Sequence, residues 1–388
     1  MSIWDKVIFE LIFWFSMFVK NVFRRRVESL FSKLSVEGVE ATVLVNPYNG
    51  FYFTGFDCAM VTILVRALEP VVIVPRLEYL RAKRETVYGE VIGVNSYEVE
   101  LGPYERVFIG KTWDLVKNIL NEYGVRGKIG VDRANLKVDE YNKLVKTLGE
   151  KLVDITKDVA SLRSIKSEEE LKAIKKAIEI AEEAMRKASN CLEKGVTEEE
   201  VAIEIDKIFR LNHADRSFNT IVAFGENAAY PHAKPGKREL KEGDLVIVDL
   251  GARIYGYCSD MTRTFIYGRA SEKQSRIFNA VLEAQRAAIE SIKSGEKAAN
   301  VDRAAREVLK KHGLTAYFNH GLGHGVGLEI HEQPTLNPAS KDTLLSGMVV
   351  TVEPGVYLES YGGVRIEDMV LVMEGSCEIL TSFERVFF

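Results

Sequence analysis

The sequence predicts an α/β domain followed by a larger α+β domain, and three observations carry that reading. Up to about residue 157, short apolar runs alternate with amphipathic stretches, the rhythm of strands interleaved with helices. Beyond that point, helices that open on capping boxes alternate with strands joined by Gly-containing turns, which reads as mostly antiparallel sheet. The length of 388 residues is enough for two separate cores.

Taken in order, residues 1–26 read as an apolar and basic extension, 27–157 as the first domain and 158–388 as the second. Val7 to Val19 is nearly all apolar, then comes Lys20 and the run Arg24, Arg25, Arg26. The stretch is shorter than the roughly 20 residues that span a bilayer, and it has no basic flank before it and no small-residue cleavage site after it. It suits a helix lying on a membrane surface, a helix packed on the body or on a second copy, or an upstream start with Met17 as the later one. In the first domain, ATVLV at 41–45, MVTILV at 60–65, VVIV at 71–74 and IGV near 129 read as strands, with a charged helix around Leu77 to Arg84.

In the second domain, Ser167 with Glu170, Thr197 with Glu200 and Ser271 with Gln274 each form a capping-box pattern ahead of apolar residues at helical spacing. A fourth helix, about Ala299 to His312, stops at Gly313. Strands are expected at Ile221–Phe224, Leu245–Leu250, Tyr257–Ile266, Val349–Val352 and Val364–Met373. No internal repeat is visible.

With 52 basic and 56 acidic residues the net charge is −4, so the chain has no large positive field to hold nucleic acid. The four cysteines, Cys58, Cys191, Cys258 and Cys377, are far apart and without paired spacing, as expected of reduced thiols in a cytoplasmic protein.

Chemistry concentrates in the second domain. A carboxylate embedded in an apolar strand such as LVIVDLG or MVVTVEPG costs several kcal/mol to desolvate unless something cationic compensates. Asp249, Asp260, Glu353 and Glu367 all sit in such segments, and with His324 they form a set that would hold two metal ions. In DLVIVDLGARIYGYCSDMTRTF, a turn centred between Ile254 and Tyr255 would set Asp249 directly opposite Asp260, with Cβ atoms about 4.5–5.5 Å apart. Two bare carboxylates that close repel, and a pair of divalent ions about 3.5–4 Å apart resolves the repulsion. Read alone, the segment equally suits two turn-adjacent aspartates making side-chain hydrogen bonds.

HGLGHGVGLEIHEQP holds His320, His324 and His331, and its glycines clear side chains from around His324. In GGVRIEDMVLV, Arg365 and Glu367 fall on one face of a strand and Asp368 on the other; an ion pair between Arg365 and Glu367 is the plainer alternative.

These motifs, in this order, together with NPYNGFYFTG in the first domain, make the chain resemble proline peptidases of the creatinase and aminopeptidase P superfamily, close to archaeal prolidases. The resemblance runs from about Leu34 to the C-terminus and implies a creatinase-like α/β N-terminal domain followed by a pita-bread α+β catalytic domain, usually in a homodimer. It implies that Asp249 chelates one ion, His324 and Glu353 the other, and that Asp260 and Glu367 bridge them, with room for a bridging hydroxide as nucleophile. The oxygen-rich set suits Mn, Co, Fe or Zn without choosing among them. Glu353 is then the general base, and His331 together with His232 of IVAFGENAAYPHAKP donates hydrogen bonds to the substrate carbonyl and oxyanion, while His320 and Arg365 shape the pocket.

The implied activity is hydrolysis of the Xaa-Pro bond of dipeptides, substrates with proline at the second position. The alternatives are an aminopeptidase P acting on longer peptides and a non-catalytic peptide-binding protein of the same fold, which typically lacks metal ligands that are all present here. Two positions depart from the family pattern: Thr335 stands where an arginine is usual after the HExP motif, and Phe224 where a serine is usual.

Overall fold

The structure is a computed structural model that describes residues 20–385; the apolar segment Val7–Val19 lies outside the described residues. Among the described residues no helix is long and apolar enough to cross a membrane. The chain forms two compact units, divided between Arg163 and Ser164 at the end of the helix Thr156–Ser164.

The first unit is built on a seven-stranded sheet in the order Val107–Ile109, Glu90–Asn95, Val71–Pro75, Val61–Val65, Val39–Leu44, Lys128–Val131, Leu152–Asp154. Val61–Val65 runs antiparallel to both neighbours and every other pairing is parallel, and interior strands such as Val71–Pro75 are buried on both faces, so that VVIV reads as an unbroken apolar run. Residues 20–33 are helical and run across residue 26, burying Val27, Leu30 and Phe31. Two of the arginines that sequence alone could set against lipid have protein partners: Arg24 pairs with Glu28 at 3.0 Å, and Arg26 donates to the Tyr52 carbonyl at 2.8 Å.

NPYNGFYFTG forms the helix Pro47–Thr54, capped by Asn46, whose side chain accepts from the amides of Tyr48 and Asn49. Asp132, fully buried, accepts from the Val45 and Asn46 amides and the Asn49 side chain, each at 3.0 Å, and so ties this helix start to the neighbouring strand.

In the second unit all three capping boxes form, opening the helices Glu168–Asn190, Glu198–Leu211 and Glu272–Ser291. The fourth helix is Ala298–Lys311, followed by Gly313 with φ of 71°. One core packs Glu272–Ser291 and Ala298–Lys311 against a five-stranded sheet through Phe278, Val301, Leu336, Val350 and Val370. A second packs Glu168–Asn190 and Glu198–Leu211 against the strands Ile221–Phe224 and Leu245–Leu250. Phe224, which stands where a serine is usual in the family, belongs to this second core at 0% exposure and does not line the cavity.

Two strands expected as continuous are broken. Tyr257–Ile266 separates into Tyr257–Cys258 and Met261–Ile266, and Val364–Met373 gives way to Gly362–Arg365 and Asp368–Val372. The interruptions fall at Ser259–Asp260 and Ile366–Glu367, where the chain leaves one sheet for another.

Replacing Asp132 with alanine strands three donors, each costing roughly 1–3 kcal/mol when buried and unpaired. Urea denaturation is expected to show a loss of at least about 2 kcal/mol, and an unchanged midpoint would refute the role given to this side chain.

Candidate metal centre

Leu245–Leu250 pairs antiparallel with Met261–Ile266, and Asp249 lies opposite Thr262. The ladder continues through Ala252–Ile254 and Tyr257–Cys258 to a two-residue turn at Tyr255 and Gly256, both with positive φ, of 53° and 85°. The turn is therefore centred between Tyr255 and Gly256, one residue later than the sequence suggested, and Asp249 does not stand directly opposite Asp260. Gly251 permits the bend between the two ladders, since a Cβ there would lie 2.0 Å from the Ser259 carbonyl oxygen. Released from the ladder at this bend, Asp260 meets His324 and Glu367: one ligand atom from each lies within 4.8 Å of the others.

His324 sits in the short strand Gly323–Gly325 between Glu332–Leu336 and Val349–Val352. A Cβ at Gly323 would lie 2.1 Å from the Thr351 carbonyl, and one at Gly325 would lie 2.3 Å from the Gln333 carbonyl. These glycines serve the close approach of neighbouring backbone, rather than clearing space beside the imidazole as the sequence reading supposed. His324 Nδ1 is 3.1 Å from the Gly325 carbonyl, which assigns the N–H to that nitrogen. Nε2 then points at Glu353 Oε1, 3.3 Å away, and Asp260 Oδ2, 3.6 Å away. Burial works against protonation of this imidazole, but Glu353 outweighs it and raises the pKa above its usual value; with Nδ1 carrying the N–H, Nε2 is the atom whose lone pair would face a bound cation, the arrangement expected of a metal-ligating histidine.

Glu353 follows the strand Val349–Val352; its amide donates to the Leu322 carbonyl at 2.8 Å and its carboxylate accepts from Thr351 Oγ1 at 3.2 Å. Glu367 accepts from Thr262 Oγ1 at 2.7 Å. Arg365 pairs with Asp249 at 2.6 Å rather than with Glu367, and it donates to Tyr357 Oη at 2.7 Å. Tyr357 in turn lies 3.0 Å from His320 Nε2, with His320 Nδ1 at 2.7 Å from the Gly321 carbonyl. His320 thus has both ring nitrogens engaged. Sequence reasoning missed Tyr357, Thr262 and Thr351; a tyrosine two residues after a turn glycine carries no signal distinguishing it from core.

Glu367 and Asp368 are adjacent but face opposite ways. Asp368, fully buried, is bound by Arg263 at 2.8 Å, Gln285 at 2.6 Å, Thr381 at 2.5 Å and Arg385 at 2.5 Å. Arg263 also donates to the Glu367 carbonyl at 2.5 Å and to the Phe383 carbonyl at 2.6 Å.

The cluster opens into a cavity of about 1080 Å³ lined also by His232, His331, Phe218, Ile221, Arg216 and Lys234. The His331 ring stands edge-on to His324 at 4.3 Å, and His232 is exposed. The loop carrying His232 is held by Glu198, fully buried, which accepts from the Phe224 amide at 2.8 Å, the Gly236 amide at 3.0 Å and the Asn227 side chain at 2.9 Å.

Burial raises the pKa of Asp260, and the nearby Glu367 and Asp249 carboxylates raise it further. Burial likewise raises that of Glu367, reinforced by Glu353 and Asp249, and that of Asp249 despite Arg365. Burial also works against ionised Glu353, but the adjacent His324 outweighs it and holds this carboxyl below its usual range. Tyr357 is pushed up to about 12, mainly by burial. Asp249 Oδ1 and Asp260 Oδ1 are buried with no hydrogen-bond partner. Unpaired carboxylate oxygens in a site this acidic fit a bound cation, and the donor set of four carboxylates and one imidazole fits a divalent one.

Residues 172–374 match Metallopeptidase family M24, and residues 26–165 match the Creatinase/Prolidase N-terminal domain. Over 365 residues the chain is 37% identical to the Xaa-Pro dipeptidase of Pyrococcus furiosus, with 93% of this chain and 99% of that protein covered. Among solved structures it is similar to a Xaa-Pro dipeptidase from Bacillus anthracis, with a TM-score of 0.85, 32% identity and coverage of 94% of this chain and 99% of that one. It is also similar to an X-Pro aminopeptidase from Thermotoga maritima, with a TM-score of 0.83, 31% identity and coverage of 93% and 99%.

Because Asp260 and Glu367 hold protons more tightly folded than unfolded, their contribution favours the metal-free fold below the ordinary carboxyl pKa of about 4 and is lost as pH rises toward their raised values. In EDTA-treated protein near neutral pH, Asp260→Asn is expected to raise the thermal midpoint by about 2–4 °C, the shift that ~1 kcal/mol produces in a unit of this size. The same variant should lose the stabilisation that added Mn²⁺ gives the wild type. A lower metal-free midpoint at neutral pH would show that repulsion among the carboxylates is not the governing strain.

Proposed function

The chain belongs to metallopeptidase family M24, and from that premise we propose that it hydrolyses the Xaa-Pro bond of dipeptides, using two divalent ions held by Asp249, Asp260, His324, Glu353 and Glu367. The observation that carries this reading is the convergence of those side chains on a cavity in which Asp249 Oδ1 and Asp260 Oδ1 lack any partner. Asp249 keeps one oxygen on Arg365 and has the other without a protein partner, and Asp260, His324 and Glu367 bring one ligand atom each within 4.8 Å of one another, so that these side chains would hold the ions together with Glu353. Mn, Co, Fe and Zn all suit the set.

When bound, the ions supply an acidified water as nucleophile and polarise the scissile carbonyl. Glu353 takes the proton: its carboxylate lines the cavity beside the other ligands, 3.3 Å from His324 Nε2. His331, whose pKa is lowered by burial and by the neighbouring His324, is a neutral imidazole that donates an N–H to the developing oxyanion. His232 lines the same cavity and shares that task, while His320 and Arg365 fix its wall through Tyr357. Proline at the second position suits a site with apolar wall residues such as Phe218 and Ile221, because its nitrogen offers no N–H for recognition.

A second reading, removal of the N-terminal residue from longer peptides, has one specific observation in its favour. Thr335, opposite His324 in the sheet, brings no cation to receive a dipeptide's carboxylate. A non-catalytic peptide-binding role is disfavoured by the full ligand set. We place the protein in the cytoplasm as a homodimer. The membrane-surface role of residues 1–26 is weakened by the protein partners of Arg24 and Arg26.

Elemental analysis of purified protein is expected to return two divalent ions per chain, and Ala-Pro is expected to be turned over faster than Ala-Pro-Ala; a preference for the tripeptide would reassign the activity to an aminopeptidase. Glu353→Gln should abolish turnover while retaining part of the metal. His331→Ala should keep the full metal content and lower kcat about 10²-fold, and an unchanged kcat would remove it from the mechanism.

A further inference from the structure

The loop from Phe318 to Leu322 leads into His324 and carries His320, yet it belongs to no strand. Four of its five carbonyls nevertheless have protein partners. The Gly321 carbonyl lies 2.7 Å from His320 Nδ1, and the Leu322 carbonyl accepts the Glu353 amide at 2.8 Å. The other two donations come from a residue outside the cavity: Arg306 donates to the Phe318 carbonyl at 3.1 Å and to the His320 carbonyl at 2.6 Å.

Arg306 is itself fixed by Asp302, one turn earlier on the helix Ala298–Lys311. The guanidinium meets both carboxylate oxygens, Nε at 2.7 Å and Nη2 at 3.2 Å. Asp302 is fully buried, and it also accepts from the Leu322 amide at 3.2 Å, an N–H shared with the Leu336 carbonyl at 2.7 Å. The guanidinium covers the Phe318 ring at 4.2 Å, and Phe318 meets the His320 ring edge-on at 5.0 Å. A planar fork is needed to serve a carboxylate on one edge and two carbonyls on the other, which an ammonium cannot do.

We infer that Asp302 and Arg306 are positioning residues of the metal centre: they set the orientation of His320 and, through Leu322, the placement of His324 and Glu353. The inference rests on the metallopeptidase reading only for which activity is measured. Neither residue lines the cavity, and the pair acts by holding the backbone that carries His320, leads into His324 and accepts the Glu353 amide.

The test compares Arg306→Lys, Arg306→Met and Asp302→Asn with wild type, measuring Mn²⁺ affinity by calorimetry, kcat and KM on Ala-Pro, and the thermal midpoint of metal-free protein. Loss of an outer partner of a metal ligand typically costs 10–100-fold. Arg306→Lys, which keeps the ion pair and loses the fork, is expected to retain most of the thermal midpoint while weakening Mn²⁺ binding about 10-fold and lowering kcat more than it raises KM. Wild-type Mn²⁺ affinity and kcat in Arg306→Lys would overturn the proposal, because charge alone would then suffice. So would a fall in midpoint in all three variants with Mn²⁺ affinity intact. Should Arg306→Met fail to fold, the lysine variant decides, and the Mn²⁺ measurement stands even if the wild type proves inactive on Ala-Pro.

Discussion

Four carboxylates drawn out of water into one small volume set the terms for the rest of the second unit. Asp249, Asp260, Glu353 and Glu367 have two cationic or protonatable groups among them, Arg365 on Asp249 and His324 beside Glu353 and Asp260. An unpaired buried charge costs several kcal/mol, so this arrangement is tolerable only if protons or cations supply the missing charge. Its persistence in a well-packed unit is the strongest physical statement the structure makes about function. The surrounding hydroxyls follow from the same demand: Thr262 and Thr351 donate to carboxylate oxygens and leave the remaining lone pairs directed at the centre.

Much of the architecture was legible in the sequence because its signals are local. Capping boxes at Ser167, Thr197 and Ser271 depend on residues three apart and formed as read. Buried runs such as LVIVDL and VVTV announced strands with the observed limits. In the first unit the weaker strands Glu90–Asn95, Val107–Ile109 and Leu152–Asp154 went unread, because they are short or polar-flanked and gain their identity from the neighbours they pair with.

The misreadings share a cause. Strand patterning overran at Asp260 and Glu367, where the residues keep alternating but the chain changes sheet. The turn at Tyr255 and Gly256 was placed one residue early because a positive φ at tyrosine is uncommon and nothing in its neighbours marks it. The glycines around His324 were noticed for the right residue and the wrong reason, since what they admit is the backbone of Thr351 and Gln333. The Asp302 and Arg306 pair went unread, because its meaning depends on a loop 12 or more residues away.

Glu367 and Asp368 show how one dipeptide serves two sides of a sheet. The second carboxylate anchors Arg263, and that guanidinium joins the Glu367 main chain to Phe383 while Arg385 closes on Asp368 from the other side. The stretch Thr381–Arg385 is therefore part of the foundation beneath a reactive side chain. Affinity handles fused close behind residue 385, or proteolytic clipping within Thr381–Arg385, would disturb ion retention without approaching the cavity.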